Sequence, residues 1–209
     1  LYSNILGFYH WGSHNCEVKL PNELKIDEFF VEGYALYLAE GDTGFSGKTR
    51  PRQFRFTNAN VNVINHMISW FNKNFDGHPS YILVHIPLEY KNLDYSYAGI
   101  QINHNNLRFV NGHYNKIIKY NLLCYRAVLI DLLLSLESTI KELCSQDAKL
   151  GAAYFRGLMI GEGTAYFNRS RYVRIEMRNE KEIRYVYSLL RKLGYDCRVA
   201  MRKERIGMC

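Results

Sequence analysis

The chain has 209 residues, 47% of them hydrophobic and 22% charged, with a formal net charge of +7. That length suits one substantial domain or two small ones sharing a core, and the composition is that of an ordinary soluble globular protein. Its five cysteines (Cys16, Cys124, Cys144, Cys197, Cys209) form an odd set without a C-x-x-C pair, which excludes a disulfide scaffold and predicts reduced thiols inside a cell, in cytoplasm, nucleoid or organelle matrix.

In chain order, the sequence opens on Leu1 rather than Met, as a fragment or an ordered portion would. His10, His14 and Cys16 lie close together, but no fourth ligand stands at zinc spacing. Asp27 suits the N-cap of a helix that runs to about Glu40, where Gly41 suits a left-handed stop. A basic cluster follows (Lys48, Arg50, Arg52, Arg55). Residues 53–57 alternate as a strand, with Phe54 and Phe56 on one face and Gln53, Arg55 and Thr57 on the other. Asn60 can cap the next helix, and residues 81–86 and 97–103 read as two further strands. In these, His85, Gln101 and Asn103 oppose an apolar set. A long helical region is expected over residues 114–143. Its apolar part, residues 122–136, is interrupted by Arg126 and Asp131, so it reads as buried helix and not as a membrane span; Lys141 lies on this helix, expected to be an outer one.

The pattern then restarts. Ser145 or Asp147 can cap a helix that ends near Glu162 and Gly163. Residues 172–178 alternate, with Val173, Ile175 and Met177 facing a core and Tyr172, Arg174, Glu176 and Arg178 facing out. Asn179 caps a last helix that Gly194 closes. From Asn168 onward, twelve Lys/Arg stand against five Asp/Glu, so this segment alone carries a charge equal to that of the whole chain. Clustered positive charge favours a polyanion through counterion release.

The restart is an internal repeat. ALYLAEGDTGF at residues 35–45 matches GLMIGEGTAYF at residues 157–167, pairing Leu36 with Leu158, Glu40 with Glu162, Gly41 with Gly163 and Phe45 with Phe167. Farther on, Arg55 meets Arg174, Asn60 meets Asn179, Ile64 meets Ile183 and Lys73 meets Lys192; the offset has shifted by three residues, as a change in one loop would cause. The expected order is helix, two strands, helix, two strands, helix, twice over. Residues 1–144 form the first unit with its lead-in and residues 145–209 the second, which stops before its fourth strand and last helix.

Glu40 and Glu162 each sit at a helix C-terminus, where the helix dipole disfavours a carboxylate unless a cation is present. Carboxylates with main-chain carbonyls make a hard oxygen site suited to Mg²⁺. Ala35 and Ala39 precede the first, Gly157 and Gly161 the second, at a spacing that lets two helices approach closely and bring both acids to one end.

YALYLAEG and FRGLMIGEG resemble the signature of the LAGLIDADG homing endonuclease family, in its single-chain form with two repeats, over about residues 20–205. Both acids are Glu rather than the commoner Asp, Leu38 and Ile160 replace an upstream acid, and Ala35 replaces a glycine. The resemblance implies an α+β fold of two pseudo-symmetric αββαββα units forming a saddle-shaped antiparallel sheet over double-stranded DNA, with one chain acting as a monomer. It implies hydrolysis of both strands with Mg²⁺ or another divalent cation, in the service of intron or intein mobility, with Glu40 and Glu162 as catalytic metal ligands. Candidate nucleic-acid contacts are Lys48, Arg50, Arg52, Gln53, Arg55, Arg171, Arg174, Arg178, Arg198 and Arg202, with Arg55 and Arg174 at equivalent places. The rival reading is a catalytically silent descendant that binds DNA as a regulator or RNA as an intron maturase or ribonucleoprotein component.

Overall fold

The computed structural model describes residues 3–9, 15–21, 23–42, 53–75, 81–90, 107–110, 117–124, 127–167, 171–202 and 205–208. In chain order these form β1 (Ser3–Tyr9), β2 (Asn15–Pro21), α1 (Glu28–Glu40), β3 (Gly41–Asp42), β4 (Phe54–Asn58) and α2 (Val61–Asn74). Next come β5 (Tyr81–Pro87), β6 (Leu107–Val110), β7 (Lys119–Cys124), α3 (Ala127–Ser135) and α4 (Glu137–Gln146). The last are α5 (Ala148–Glu162), β8 (Gly163–Tyr166), β9 (Tyr172–Met177), α6 (Glu180–Lys192), β10 (Val199–Arg202) and β11 (Arg205–Met208). The chain divides into two compact units, residues 1–25 with 42–132, and residues 26–41 with 133–209.

In the first unit, β1 and β2 pair as an antiparallel ladder, and a five-stranded sheet runs β3-β4-β7-β5-β6. Alternation sorts its side chains. Phe54 and Phe56 stand opposite Cys124 and Leu122 in register and are fully buried, with Val84 and Ile86 of β5. Helix α2 covers them. Asn60 caps it by accepting the Asn62 N–H, and its Ile64, Met67, Trp70 and Phe71 recur at helical spacing. Phe54 packs against Trp70 and edge-on to Phe71, at centroid distances of 6.5 and 5.2 Å.

Three expectations change here. Residues 114–143 are not one helix: 119–124 form β7, the strand between β4 and β5, before α3 and α4 begin. A short apolar run such as YNLLC does not reveal its period, and pairing of Leu122 with Phe56 and Ile82 decides it. The sheet is also not wholly antiparallel, because β6 joins its edge parallel to β5. Gln53 precedes the strand and is buried at 5% exposure, so the alternation does not carry it to the outer face. Residues 97–103 lie outside the described residues.

The second unit holds a four-stranded antiparallel sheet, ordered β10-β11-β9-β8, with α1, α4, α5 and α6. Strand by strand, β8-β9-β11-β10 repeats β3-β4-β7-β5 of the first copy. The second copy therefore does contain its fourth strand, β11, which a constant repeat offset could not anticipate. Ile175 and Met177 of β9 are buried against α6, whose Ile183, Val186, Leu189 and Leu190 form its apolar stripe. Val173 is 44% exposed rather than core. Asn179 caps α6, and Gly194 at φ 85° ends it, with its N–H bound to the Arg191 carbonyl. Behind this layer, Glu182 is buried, accepts the Tyr154 hydroxyl at 2.5 Å and meets Lys141 Nζ at 2.7 Å. Lys141 is thus half of a covered ion pair and not an outer solvated side chain.

Candidate nucleic-acid interface and paired helix-end carboxylates

The second unit is organised around the contact of α1 with α5. Asp27 caps α1 through the Phe30 N–H at 2.9 Å, and Asp147, not Ser145, caps α5 through the N–H groups of Lys149 and Leu150. The seam is built of small residues. A Cβ at Gly157 would run into the Glu32 carbonyl oxygen and lie 2.8 Å from Ala35 Cβ, and one at Gly161 would lie 2.5 Å from Ala39 Cβ. Arg156 closes the flank with an ion pair to Glu32 at 2.8 Å. Phe30, Val31, Tyr34, Leu36, Tyr154 and Leu158 are fully buried beside it.

Close approach brings the two helix ends together. Glu40 Cγ lies 3.1 Å from where a Cβ of Gly161 would stand, one residue before Glu162. Both glutamates are half-buried, and neither helix has a basic residue in its last turn to offset the dipole. Carboxylates and the unpaired carbonyls of helix ends are both hard oxygen donors, the type that divalent cations such as Mg²⁺ take. Gly41 and Gly163 are extended, at φ −78° and −84°, and not left-handed; glycine is required because a Cβ would strike the Tyr37 and Met159 carbonyls. Beside Glu162 opens a cavity of about 240 Å³, lined by Leu38, Ala39, Glu176, Arg178 and Asn179. Among the described residues, no group of three His, Cys, Asp or Glu is arranged to hold a metal.

The sheets present basic faces. In the first unit, Arg55 lies on the face of β4 opposite the buried phenylalanines, beside Thr57, whose hydroxyl donates to Asn121 Oδ1 at 2.7 Å. Pairing of His85 with Lys119 and with Arg108 brings those three to the same face. Partial burial and the charges of Arg55, Arg108 and Lys119 push the His85 pKa below its usual value. Arg108 and Lys119 were missed from sequence because β6 and β7 were not read as strands; the alternation of Lys119, Asn121 and Leu123 with Tyr120, Leu122 and Cys124 was the available signal. In the second unit, Arg174 reaches the Tyr166 hydroxyl at 2.6 Å and Glu176 at 3.3 Å, while Arg55 faces Asp42 at 3.7 Å. Arg171, Arg178 and Arg198 are exposed. Arg202 lies in β10, and Lys48, Arg50 and Arg52 fall outside the described residues. No described helix is long and apolar enough to cross a membrane.

No family model matches this sequence, and no curated protein matches it. Solved structures match the fold. The full-length DUF199/WhiA from Thermatoga maritima aligns with a TM-score of 0.55 at 13% identity over 90% of this chain and 52% of that one, so the present chain spans about half its length. The homing endonuclease I-DmoI in complex with DNA and Mn aligns at 0.54 and 13% identity, over 87% of this chain and 89% of that one. The N-terminal LAGLIDADG domain of DUF199/WhiA aligns at 0.51 and 12%, over 87% and 74%. Other I-DmoI complexes with DNA were obtained with Ca or Mg. At these identities the likeness shows the fold: a mixed α+β architecture of the LAGLIDADG type.

Proposed function

We propose that this protein binds double-stranded DNA along its basic strand faces and hydrolyses both strands as a metal-dependent, site-specific endonuclease. One observation carries the reading. The glycine–alanine seam of α1 and α5 brings Glu40 and Glu162 to one end of a tight helix pair, without a basic residue in either last turn. A divalent cation between two carboxylates at helix C-termini offsets both the helix dipoles and their mutual repulsion. Glu40 and Glu162 would hold the ion, which supplies charge neutralisation at the phosphoryl oxygens and an activated water. Arg55, His85, Arg108 and Lys119 on one sheet, and Arg171, Arg174, Arg178 and Arg198 in the other unit, would hold phosphates and fix the register of the duplex. Both acids come from one chain, so one copy suffices. The solved neighbour I-DmoI, in complex with DNA and Mn, supports this reading at the level of fold.

The test is incubation with a library of duplex sites in Mg²⁺ and sequencing of the ends produced, followed by Glu40→Gln and Glu162→Gln. Each substitution keeps the shape and removes the charge, so cleavage of one or both strands should be lost while binding in Ca²⁺ persists. A protein that binds a defined duplex tightly yet leaves both strands whole in Mg²⁺ and Mn²⁺ is not an endonuclease. A silent DNA- or RNA-binding protein is then the reading.

A further inference from the structure

The basic face of the second unit also carries an aromatic surface that phosphate binding does not require. Tyr166 and Tyr172 are cross-strand partners at the end of the β8–β9 ladder where residues 167–171 link the two strands. Their rings stack at 4.6 Å between centroids, 20° from parallel. The Arg174 guanidinium lies 5.0 Å from the Tyr166 centroid, on the same face of the sheet by alternation, and its Nη2 donates to the Tyr166 hydroxyl. The ladder of guanidinium and two rings is therefore fixed before any ligand arrives. Tyr172 is 38% exposed. One ring face of the stacked pair is thus open on the side of Tyr172. The surrounding charge specifies the partner: Arg171 and Arg178 flank β9 and are exposed, within the part of the chain that carries the excess positive charge.

We propose that the Tyr166–Tyr172 stack, with Arg174 over Tyr166, forms a platform for an unpaired base, so that this end of the interface takes a nucleic-acid strand whose bases are not in a duplex. A duplex buries its base faces and offers phosphates and groove edges, which arginines alone can meet. Only an unstacked base offers a flat π-face to aromatic side chains, and base–aromatic stacking tolerates sequence. The inference rests on nucleic-acid binding as proposed above and adds a strand opening or junction at the β8–β9 edge.

The experiment measures binding of the full chain, at low salt, to a fluorescein-labelled DNA duplex, to the same duplex with a short central gap, and to oligo(dT) and oligo(U). The gapped duplex should bind roughly five-fold or more tightly than the intact one. Tyr172→Ala should abolish that difference and leave intact-duplex binding within about two-fold, as loss of one stacking partner requires. Tyr172→Phe, which keeps the ring, should restore it. A 2-aminopurine in the gap should be quenched by the wild type and not by the alanine variant. Comparison of oligo(dT) with oligo(U) assigns the strand to DNA or RNA. Equal affinity for intact and gapped duplex, with an unchanged alanine variant, overturns the platform and leaves the duplex-binding reading standing. Failure to bind any of the probes overturns both.

Discussion

Replacing Gly157 with alanine tests the architecture of the site most directly. By helix propensity alone the change stabilises, because alanine is better than glycine in a helix interior by about 1 kcal/mol. At Gly157, however, the new Cβ would lie 2.8 Å from Ala35 Cβ and 2.9 Å from the Leu36 nitrogen, and would press on the Glu32 carbonyl oxygen. Ordinary carbon contacts are near 3.5–4.0 Å, so α1 and α5 would have to part by roughly 1 Å. Two of the three neighbours are main chain and cannot rotate away. A gap of that size forfeits a quarter to a half of the dispersion energy of each lining contact, and overpacking a closed core typically costs about 3 kcal/mol at its upper range. The difference is a net loss of about 2 kcal/mol, or a fall of about 1 M in the urea midpoint of the second unit. The assay is urea unfolding followed by circular dichroism. Gly161→Ala should behave similarly through its 2.5 Å approach to Ala39 Cβ, and Ala39→Gly in the same chain should recover most of its loss. A Gly157→Ala protein as stable as the wild type, or more so, would refute the close seam and with it the pairing of Glu40 and Glu162.

His85 should make nucleic-acid binding depend on pH. Its pKa is lowered by partial burial and by Arg55, Arg108 and Lys119, so it is neutral near pH 7; phosphates on that face would favour the charged form, and affinity should rise as pH falls from about 7 to 5, with proton uptake by calorimetry. A His85→Ala variant should lose the dependence, and a pH-independent wild type would remove His85 from the interface. Burial pushes the Cys144 thiol up to about 12, and Tyr34, Tyr154 and Tyr185 are raised as well, first by burial and then by neighbouring acidic groups. Groups with raised folded pKa values contribute stability that is intact below their unfolded values and is lost as pH rises through the folded ones, so stability should decline above about pH 9. Cys144 should react with a thiol reagent at pH 8 only on unfolding; labelling of the folded chain at Cys144 would contradict that burial.

Much of the local structure was legible in the sequence because it rests on interactions a few residues long. Asp27, Asn60 and Asn179 cap the helices that follow them, since a side-chain oxygen satisfies an N–H two or three positions on whatever the rest of the chain does. The matched Glu-Gly helix ends and the small residues before them announced a repeated, closely packed helix pair, because only small side chains at that spacing let two backbones approach. Tertiary structure decided what depends on pairing between distant segments. It made residues 119–124 a strand, since the register of Leu122 with Phe56 outweighs a period that six residues cannot express. It set β6 parallel at an edge, gave the second copy its fourth strand, and collected His85, Arg108 and Lys119 on one face. It also changed the reason for Gly41 and Gly163 from backbone handedness to the space beneath Tyr37 and Met159. Caps and helix seams are short-range and repeat with the helical period, whereas a sheet's register is fixed only when strands from separate parts of the chain meet.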